Sequence, residues 1–485
     1  MPNRLTRRQT LAALGAALGA PALLGRAGPA FAQGARPQLV MPPLLEGALA
    51  EGRRVYDLAV AAGETEFFPG EKTATIGLNQ SYLGPILKVR KGDAVRMNVA
   101  NGLGEPMTLH WHGLNLPAAT DGGPHQVIAP ASTWSPEFEM RERAGTYWYH
   151  GHMMHRTGAH VWAGMAGMIR VEDAEADAVP LPSTHGEDDF TLVLQDRRFT
   201  RDFQMPYELS MHDAMAGIAG DTALVNGLIA PFMEVPAGRI RLRLLNGSNA
   251  SFYNLRFSDG RRFWQVASDG GLLPAPVELA EAILAPGERA EIVVDCDDGA
   301  AVSLLADVFS AEVRMMGGRG TADFLELRPT GAARAAGAMP DKLLDLPEPE
   351  ASATTRRFVL EMGGMGMGRG MMGGGFAING KAMDPQRIDE VVPVNTTETW
   401  VIENPTPMFH PFHIHNTQFR ILDRSGQKPG PHEAGLKDTV VVAPGESVSV
   451  QVRFADFTDP DRPYMYHCHI LEHEDGGMMG QFTVV

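Results

Sequence analysis

The sequence predicts an all-β protein of three β-sandwich modules, and three observations carry that reading. At 485 residues the chain is too long for one core and falls near about three domains. Its apolar stretches are short or alternating, at 86–100, 240–245, 290–295, 399–402 and 447–454, and 54 Gly and 35 Pro supply the breaks. Runs of that length between turn residues mark packed sheets. Finally, one phrase recurs three times. Ala129-Pro130, Ala285-Pro286-Gly287-Glu288 and Ala443-Pro444-Gly445-Glu446 each lie between a polar turn and a strand, and upstream of each a strand ends in Asn101, Asn246 or Asn404. A period of roughly 150 residues means duplicated domains, not a solenoid.

Before the modules comes a targeting segment. Thr6-Arg7-Arg8-Gln9-Thr10-Leu11 sets paired arginines ahead of a weakly apolar run at 11–24, and Ala30-Phe31-Ala32 supplies small residues where a signal peptidase reads. Residues 1–32 are therefore expected to be a twin-arginine leader, read by the export machinery that carries folded proteins to the periplasm. The run is too short and glycine-rich to span a bilayer, so the chain is not expected to be membrane-embedded. A net charge of −16 excludes a nucleic-acid partner, which needs a cationic face, and modestly concentrates cations around the protein.

The modules are expected at 45–175, 186–330 and 356–485, with 331–355 as linker and a Gly- and Met-rich stretch at 363–375. Histidines separate the copies. The first carries His110-Trp111-His112 and His150-Gly151-His152; the third carries His413-Ile414-His415 and His467-Cys468-His469 at equivalent places. The middle copy has no His-X-His and reads as a spacer. On a strand, period two puts both histidines of a pair on one face. Four pairs give eight imidazoles, too many for one zinc, which takes four ligands, and enough for a cluster of metals.

A second donor set lies beside the first. His410, Cys468, His473 and Met478 are two imidazoles, a thiolate and a distant thioether, the set that builds a blue electron-transfer copper. Cys468 is flanked by two histidines, so a metal thiolate is favoured over a disulfide with Cys296, which reads as a buried strand-end thiol. Reducing dioxygen to water takes four electrons, and four copper ions supply them.

His110-Trp111-His112-Gly113, His150-Gly151-His152, the run from His410 to His415, and His467-Cys468-His469 with His473 and Met478 resemble the four copper motifs of three-domain multicopper oxidases, in particular bacterial laccase-like and cuprous oxidases. The likeness runs from about residue 45 to the C-terminus and includes Leu224-Val225-Asn226-Gly227. It implies cupredoxin-like Greek-key domains, dioxygen as acceptor and a monomer. By motif position it makes His410, Cys468, His473 and Met478 the type 1 ligands. It makes His110 and His413 the type 2 ligands, and His112, His150, His152, His415, His467 and His469 the type 3 ligands. Asp121 and Glu474 match the family's acids near the cluster, which deliver protons that water formation consumes.

The reducing substrate is less determined. Met315, Met316, Met362, Met365, Met367, Met371, Met372 and Met408 are soft donors that prefer Cu(I). Met408 and Met362 match methionines of the substrate site in cuprous oxidases, which implies a cuprous oxidase in copper tolerance. The long methionine-rich helix of that group is absent, however, and its aspartate is Thr406 here, which leaves the type 1 site open to phenols, as in laccases. The methionines can also be filler in a lid. Two other classes remain: a copper-buffering protein without turnover, and a structural protein of cell-division type that has lost its copper. An unbroken set of ten histidines and one cysteine opposes both.

Overall fold

A computed structural model of the chain describes residues 36–309, 320–363 and 375–485. The expected leader at 1–32 and Met315, Met316, Met365, Met367, Met371 and Met372 lie outside the described residues. Six sheets pair into three sandwiches. In the first, one sheet has the order Leu44–Leu45, Ile86–Arg90, Ala166–Glu172, Gly145–His150, His110–His112, and it packs on a sheet built around Arg53–Phe68 and Ala94–Asn101. Tyr56, Val95, Trp111 and Ile169 fill the space between. The apolar run at 86–100 is two strands, broken at Lys91-Gly92-Asp93.

The third sandwich repeats the plan. The order Glu390–Val392, Met479–Val484, Asp459–Cys468, His410–Ile414, Thr439–Val442 faces a sheet centred on Thr396–Glu403 and Ser447–Phe454. Trp400, Phe412, Tyr466 and Phe482 form its core. The middle sandwich has a seven-stranded sheet through Asp189–Arg197, Arg239–Asn246 and Arg289–Asp295 and a five-stranded sheet through Val302–Phe309 and Phe252–Phe257. In all three the opening strand runs parallel to the asparagine strand: Arg53–Phe68 with Ala94–Asn101, Asp189–Arg197 with Arg239–Asn246, Thr354–Met362 with Thr396–Glu403. Parallel neighbours cannot be joined by a hairpin, so each sandwich needs the crossovers of a Greek key.

The repeated asparagine has one job in each copy. Asn101 Nδ2 donates to the carbonyls of Glu105 and Ile128 while its Oδ1 accepts from Leu103 N. Asn246 does the same with Ser251, Leu284 and Ser248, and Asn404 with Met408, Val442 and Thr406. Its own carbonyl accepts from Ala131, Gly287 or Gly445 of the recurring Ala-Pro turn. One buried amide thus pairs backbone groups that a sharp corner would otherwise strand.

Buried ions tie the modules together. Arg170 of the first module reaches Asp189 of the middle one at 3.1 Å; Arg243 holds Asp189 at 2.7 Å and Glu291 at 2.9 Å; Glu291 accepts from Thr146 Oγ1 at 2.7 Å. Among the described residues no helix is long and apolar enough to cross a membrane.

The corner amide makes a prediction in the module remote from the histidine pairs. Asn246→Ala strands buried carbonyls at a cost of about 1–3 kcal/mol each. The variant should unfold at lower temperature by calorimetry; an unchanged transition would show that the corner holds itself.

Candidate metal centre

The strands bring the eight imidazoles of the four pairs into one buried nest between the first and third modules. His150 lies opposite His110 on neighbouring strands, and His467 lies opposite His413. Only the first pair lies wholly within a strand. His152, His415 and His469 lie just past strand ends, held in extended continuation by His415 N to Met465 O at 3.0 Å and His469 N to Pro411 O at 2.6 Å. The two modules interleave: His110 stacks on His415 with ring centres 3.8 Å apart, and His112 on His413 at 3.7 Å.

Six of the eight rings are oriented by spending one nitrogen on the protein. His110 Nδ1 donates to Asp121 O at 2.9 Å, His150 Nδ1 to Gly151 O at 2.8 Å, His413 Nδ1 to Asp438 O at 2.8 Å, His415 Nδ1 to the Asp121 carboxylate at 2.9 Å and His467 Nδ1 to Cys468 O at 3.1 Å. His112 is reversed: its Nε2 donates to Asp438 Oδ1 at 2.9 Å. What remains is a set of ring nitrogens without partners. His110 Nε2, His112 Nδ1, His150 Nε2, His152 Nδ1, His413 Nε2 and both nitrogens of His469, one of which carries that ring's proton, are buried without a hydrogen-bond partner. His467 Nε2 lies 3.3 Å from His152 Nε2 and 3.2 Å from His415 Nε2.

Buried polar atoms are nearly always paired, so this concentration of orphaned acceptors fits cations. Grouping by distance gives three trios: His110, His112 and His413; His112, His150 and His469; His152, His415 and His467. Burial holds His112, His150, His152, His413, His415 and His469 well below the usual imidazole range, and His467 down to about 3, with neighbouring rings adding to the shift in most. The rings are therefore neutral and ready to ligate.

A fourth trio stands apart. Cys468 Sγ lies 3.4 Å from His410 Nδ1 and 3.6 Å from His473 Nδ1, with Met478 fully buried beside them in the third-module core. Both cysteines are free and buried. Burial pushes the Cys468 thiol up, so a thiolate there requires a bound cation, and it pushes Cys296 up to about 12. The distal nitrogens are fixed too: His410 Nε2 lies 2.8 Å from the Thr406 hydroxyl, and His473 Nε2 donates to Met215 O at 2.9 Å while Phe376 stacks on its ring at 4.4 Å. Helix Leu471–Asp475, which carries His473 and Glu474, is pinned to the middle module through Glu472, which accepts from Asn249 Nδ2 at 2.9 Å and Tyr207 OH at 2.8 Å.

The two acids expected from sequence reach the nest. Asp121 Oδ2 touches His415 and lies 3.5 Å from His110 Nδ1. Glu474 Oε1 lies 3.4 Å from His152 Nδ1 and Oε2 lies 3.2 Å from His467 Nδ1, and burial pushes its carboxyl well up. Met408 is buried, at 2% exposure, while Met362 is half-buried across the strand pair from Phe376. Sequence reasoning missed Asp438, Arg289, Thr406 as a hydrogen-bond partner and the Met215 carbonyl. The signal available was a charged residue opening an apolar strand: Arg289 before 290–294, and Asp438 before Thr439–Val442. The middle module is more than a spacer.

Three cupredoxin-like sandwiches with a three-trio imidazole nest and a separate His-Cys-His site define the class of blue-copper oxidases. The chain belongs to the multicopper oxidase family: multicopper oxidase family models match residues 59–176 and 356–485. It is 37% identical over 437 residues to the multicopper oxidase mco of Staphylococcus aureus, covering 89% of each chain. It is equally, 37%, identical to the cell division protein FtsP of Yersinia pestis, over 99% of this chain and 98% of that one. Among solved structures, a bacterial laccase-like multi-copper oxidase from Ochrobactrum sp., with oxidase activity towards lignin model compounds and lignosulfonate, superposes with a TM-score of 0.83 at 35% identity, over 92% of this chain and 100% of that one.

The neutral nest sets an acid limit on the metal-free fold. Unfolded histidines bind protons from about pH 6.5 downward, whereas folded His473 waits until about 4 and His467 until about 3. In that window the unfolded state holds more protons, so stability falls as pH drops. Denaturant midpoints of the metal-free protein should decline steeply between about pH 6.5 and 4; a flat profile would show that the rings are solvated.

Proposed function

We propose that the chain is a working four-copper oxidase, exported by its twin-arginine leader to the periplasm, that oxidises the cuprous ion in copper tolerance. The observation that carries the oxidase reading is the complete donor set: ten imidazoles and one thiol, all buried, with inward lone pairs left unpaired. A scaffold that only binds a protein partner gains nothing from such a nest, and a buffering protein gains nothing from two kinds of site.

In this reading His410, Cys468, His473 and Met478 hold the type 1 ion, His110 and His413 the type 2 ion, and His112, His150 and His469 with His152, His415 and His467 the type 3 pair. Copper, when bound, would supply one-electron uptake from the substrate and four-electron delivery to dioxygen. Cys468 and its neighbours His467 and His469 belong to one continuous backbone, so the chain is the conductor between the sites. Asp121 orients the His415 ring and keeps a carboxylate beside His110. Glu474, whose carboxyl burial pushes well up, stands between His152 and His467 as a proton source for water formation. Met362, opposite Phe376 whose ring stacks on His473, would supply one soft sulfur for Cu(I), and Met408, buried in the same core cluster as Cys468 and Met478, another.

A second reading is a laccase-type phenol oxidase. It is favoured by the burial of Met408, which withdraws one soft donor from solvent, and by the activity named for the Ochrobactrum relative.

Steady-state oxidation of Cu(I) and of a dimethoxyphenol by Met362→Ser and Met408→Ser separates the two. For a cuprous oxidase the Cu(I) rate should fall about tenfold or more in Met362→Ser, in line with loss of one ligand-shell contact, with phenol oxidation retained; equal losses would assign the methionines to packing. Asp121→Asn should slow dioxygen consumption while the blue absorption band stays intact, and unchanged turnover would remove Asp121 from the proton path.

A further inference from the structure

Asp438 is a buried carboxylate of the third module that touches rings from both outer modules. Its Oδ1 accepts from His112 Nε2 at 2.9 Å, and its backbone carbonyl accepts from His413 Nδ1 at 2.8 Å. The carboxylate is gripped in turn by Arg289 of the middle module, with Nη1 at 2.7 Å from Oδ1 and Nη2 on Oδ2. Arg289 is itself completely enclosed. Its remaining N–H groups donate to the carbonyls of Thr146, Gly287 and Asp269. Asp269 carries the grip onward, accepting from Arg289 N at 2.8 Å and pairing with Lys437 at 3.0 Å. Gly287, at φ +81°, lies so close to His469 that a Cβ there would stand 2.8 Å from the ring.

His112 is the one ring among the oriented members of the nest that is held through Nε2, leaving Nδ1 inward. A neutral imidazole carries one proton, and the partner that accepts it decides which nitrogen keeps the lone pair. We propose that Arg289 and Asp438 are a positioning pair that fixes the His112 tautomer, presenting Nδ1 to the cluster, and that the middle module thereby sets the geometry of a site to which it gives no ligand. The proposal rests on the reading of His112 as a copper ligand. The Arg289 fork holds both carboxylate oxygens, so the acceptor for His112 cannot rotate away. Thr439 Oγ1, at 3.3 Å from both His112 Nε2 and His413 Nδ1, is a weaker alternative acceptor.

The test uses the full-length protein, with two readouts and the blue band as control for a folded type 1 site. In the wild type, four coppers and a blue band establish the underlying reading; their absence would overturn that reading, and with it this inference, before any variant is made. Nitrogen-15 NMR of the metal-free wild type should show His112 protonated at Nε2, and protonation at Nδ1 would overturn the proposal. Asp438→Leu should give mixed His112 tautomers and weaken cluster copper about 10–100-fold against a chelator, the range for loss of a ligand's hydrogen-bond partner, with the blue band kept. Asp438→Leu leaves Arg289 buried and unpaired, so the double variant Arg289→Met with Asp438→Leu is made beside it; buried pairs replaced by apolar residues of similar volume often fold well. A pair that merely holds modules together is rescued in the double variant. A positioning pair is not. Wild-type copper affinity and a single Nε2–H tautomer in the double variant would overturn the proposal, as would failure of the double variant to fold.

Discussion

The whole molecule is organised around a nest of lone pairs that has no business being buried. Seven ring nitrogens of the nest are buried without a hydrogen-bond partner, and three Nε2 atoms converge at 3.2–3.3 Å. Leaving buried polar atoms unpaired costs about 1–3 kcal/mol each, so the fold has to hold them there by force of the surrounding packing. Stacking of His110 on His415 and of His112 on His413 forces the outer modules to meet in a single register. A shift of either module by one residue would turn its rings out of the nest, because side chains alternate along a strand.

That register is held from outside the nest. The first module is bound to the middle one by the Arg170, Asp189, Arg243 and Glu291 network, and the third by Arg289, Asp269, Lys437 and Asp438. Buried ion pairs contribute little net stability against apolar packing, but removal of one partner is expensive. They therefore act as address labels: only the correct apposition pairs every charge. The helix Leu471–Asp475 repeats the logic at the other site, since the middle module accepts from His473 through Met215 O and donates to Glu472 through Asn249.

Much of this was legible in the amino-acid order. The period-two pairs, the thrice-repeated turn and the asparagine before it give three sandwiches, and a middle copy without a His-X-His pair assigns the cluster to the outer two. The structure explains why those signals are strong: Asn101, Asn246 and Asn404 each satisfy the equivalent three backbone groups. Strand register was harder to read. The sequence suggested that each His-X-His lies on a strand, whereas His152, His415 and His469 sit just beyond strand ends. Asp438 and Arg289 were invisible because their meaning comes from residues 149 positions apart meeting across an interface, and neither belongs to a short motif. The contact of Thr406 is hidden for a similar reason: the residue stands where cuprous oxidases carry an aspartate, and its hydroxyl sits 2.8 Å from His410 Nε2.

Burial also explains why the two donor sets are of different kinds. At the nest, neutral rings need only lone pairs, and desolvation makes them better ligands by suppressing protonation. At Cys468 the same desolvation opposes the charged form that a ligand requires, and among the described residues no cationic side chain offsets it; burial is the dominant influence on that thiol. The metal itself must therefore drive the proton off, and a soft monovalent or divalent cation with high thiolate affinity does so where a hard one does not. The strand end that carries Cys468 between His467 and His469 thus joins a thiol site whose donors favour a soft cation to a nest of imidazole donors. In the reading proposed above, that continuity of three consecutive residues is what would let the two sites act as a single electron-transfer unit.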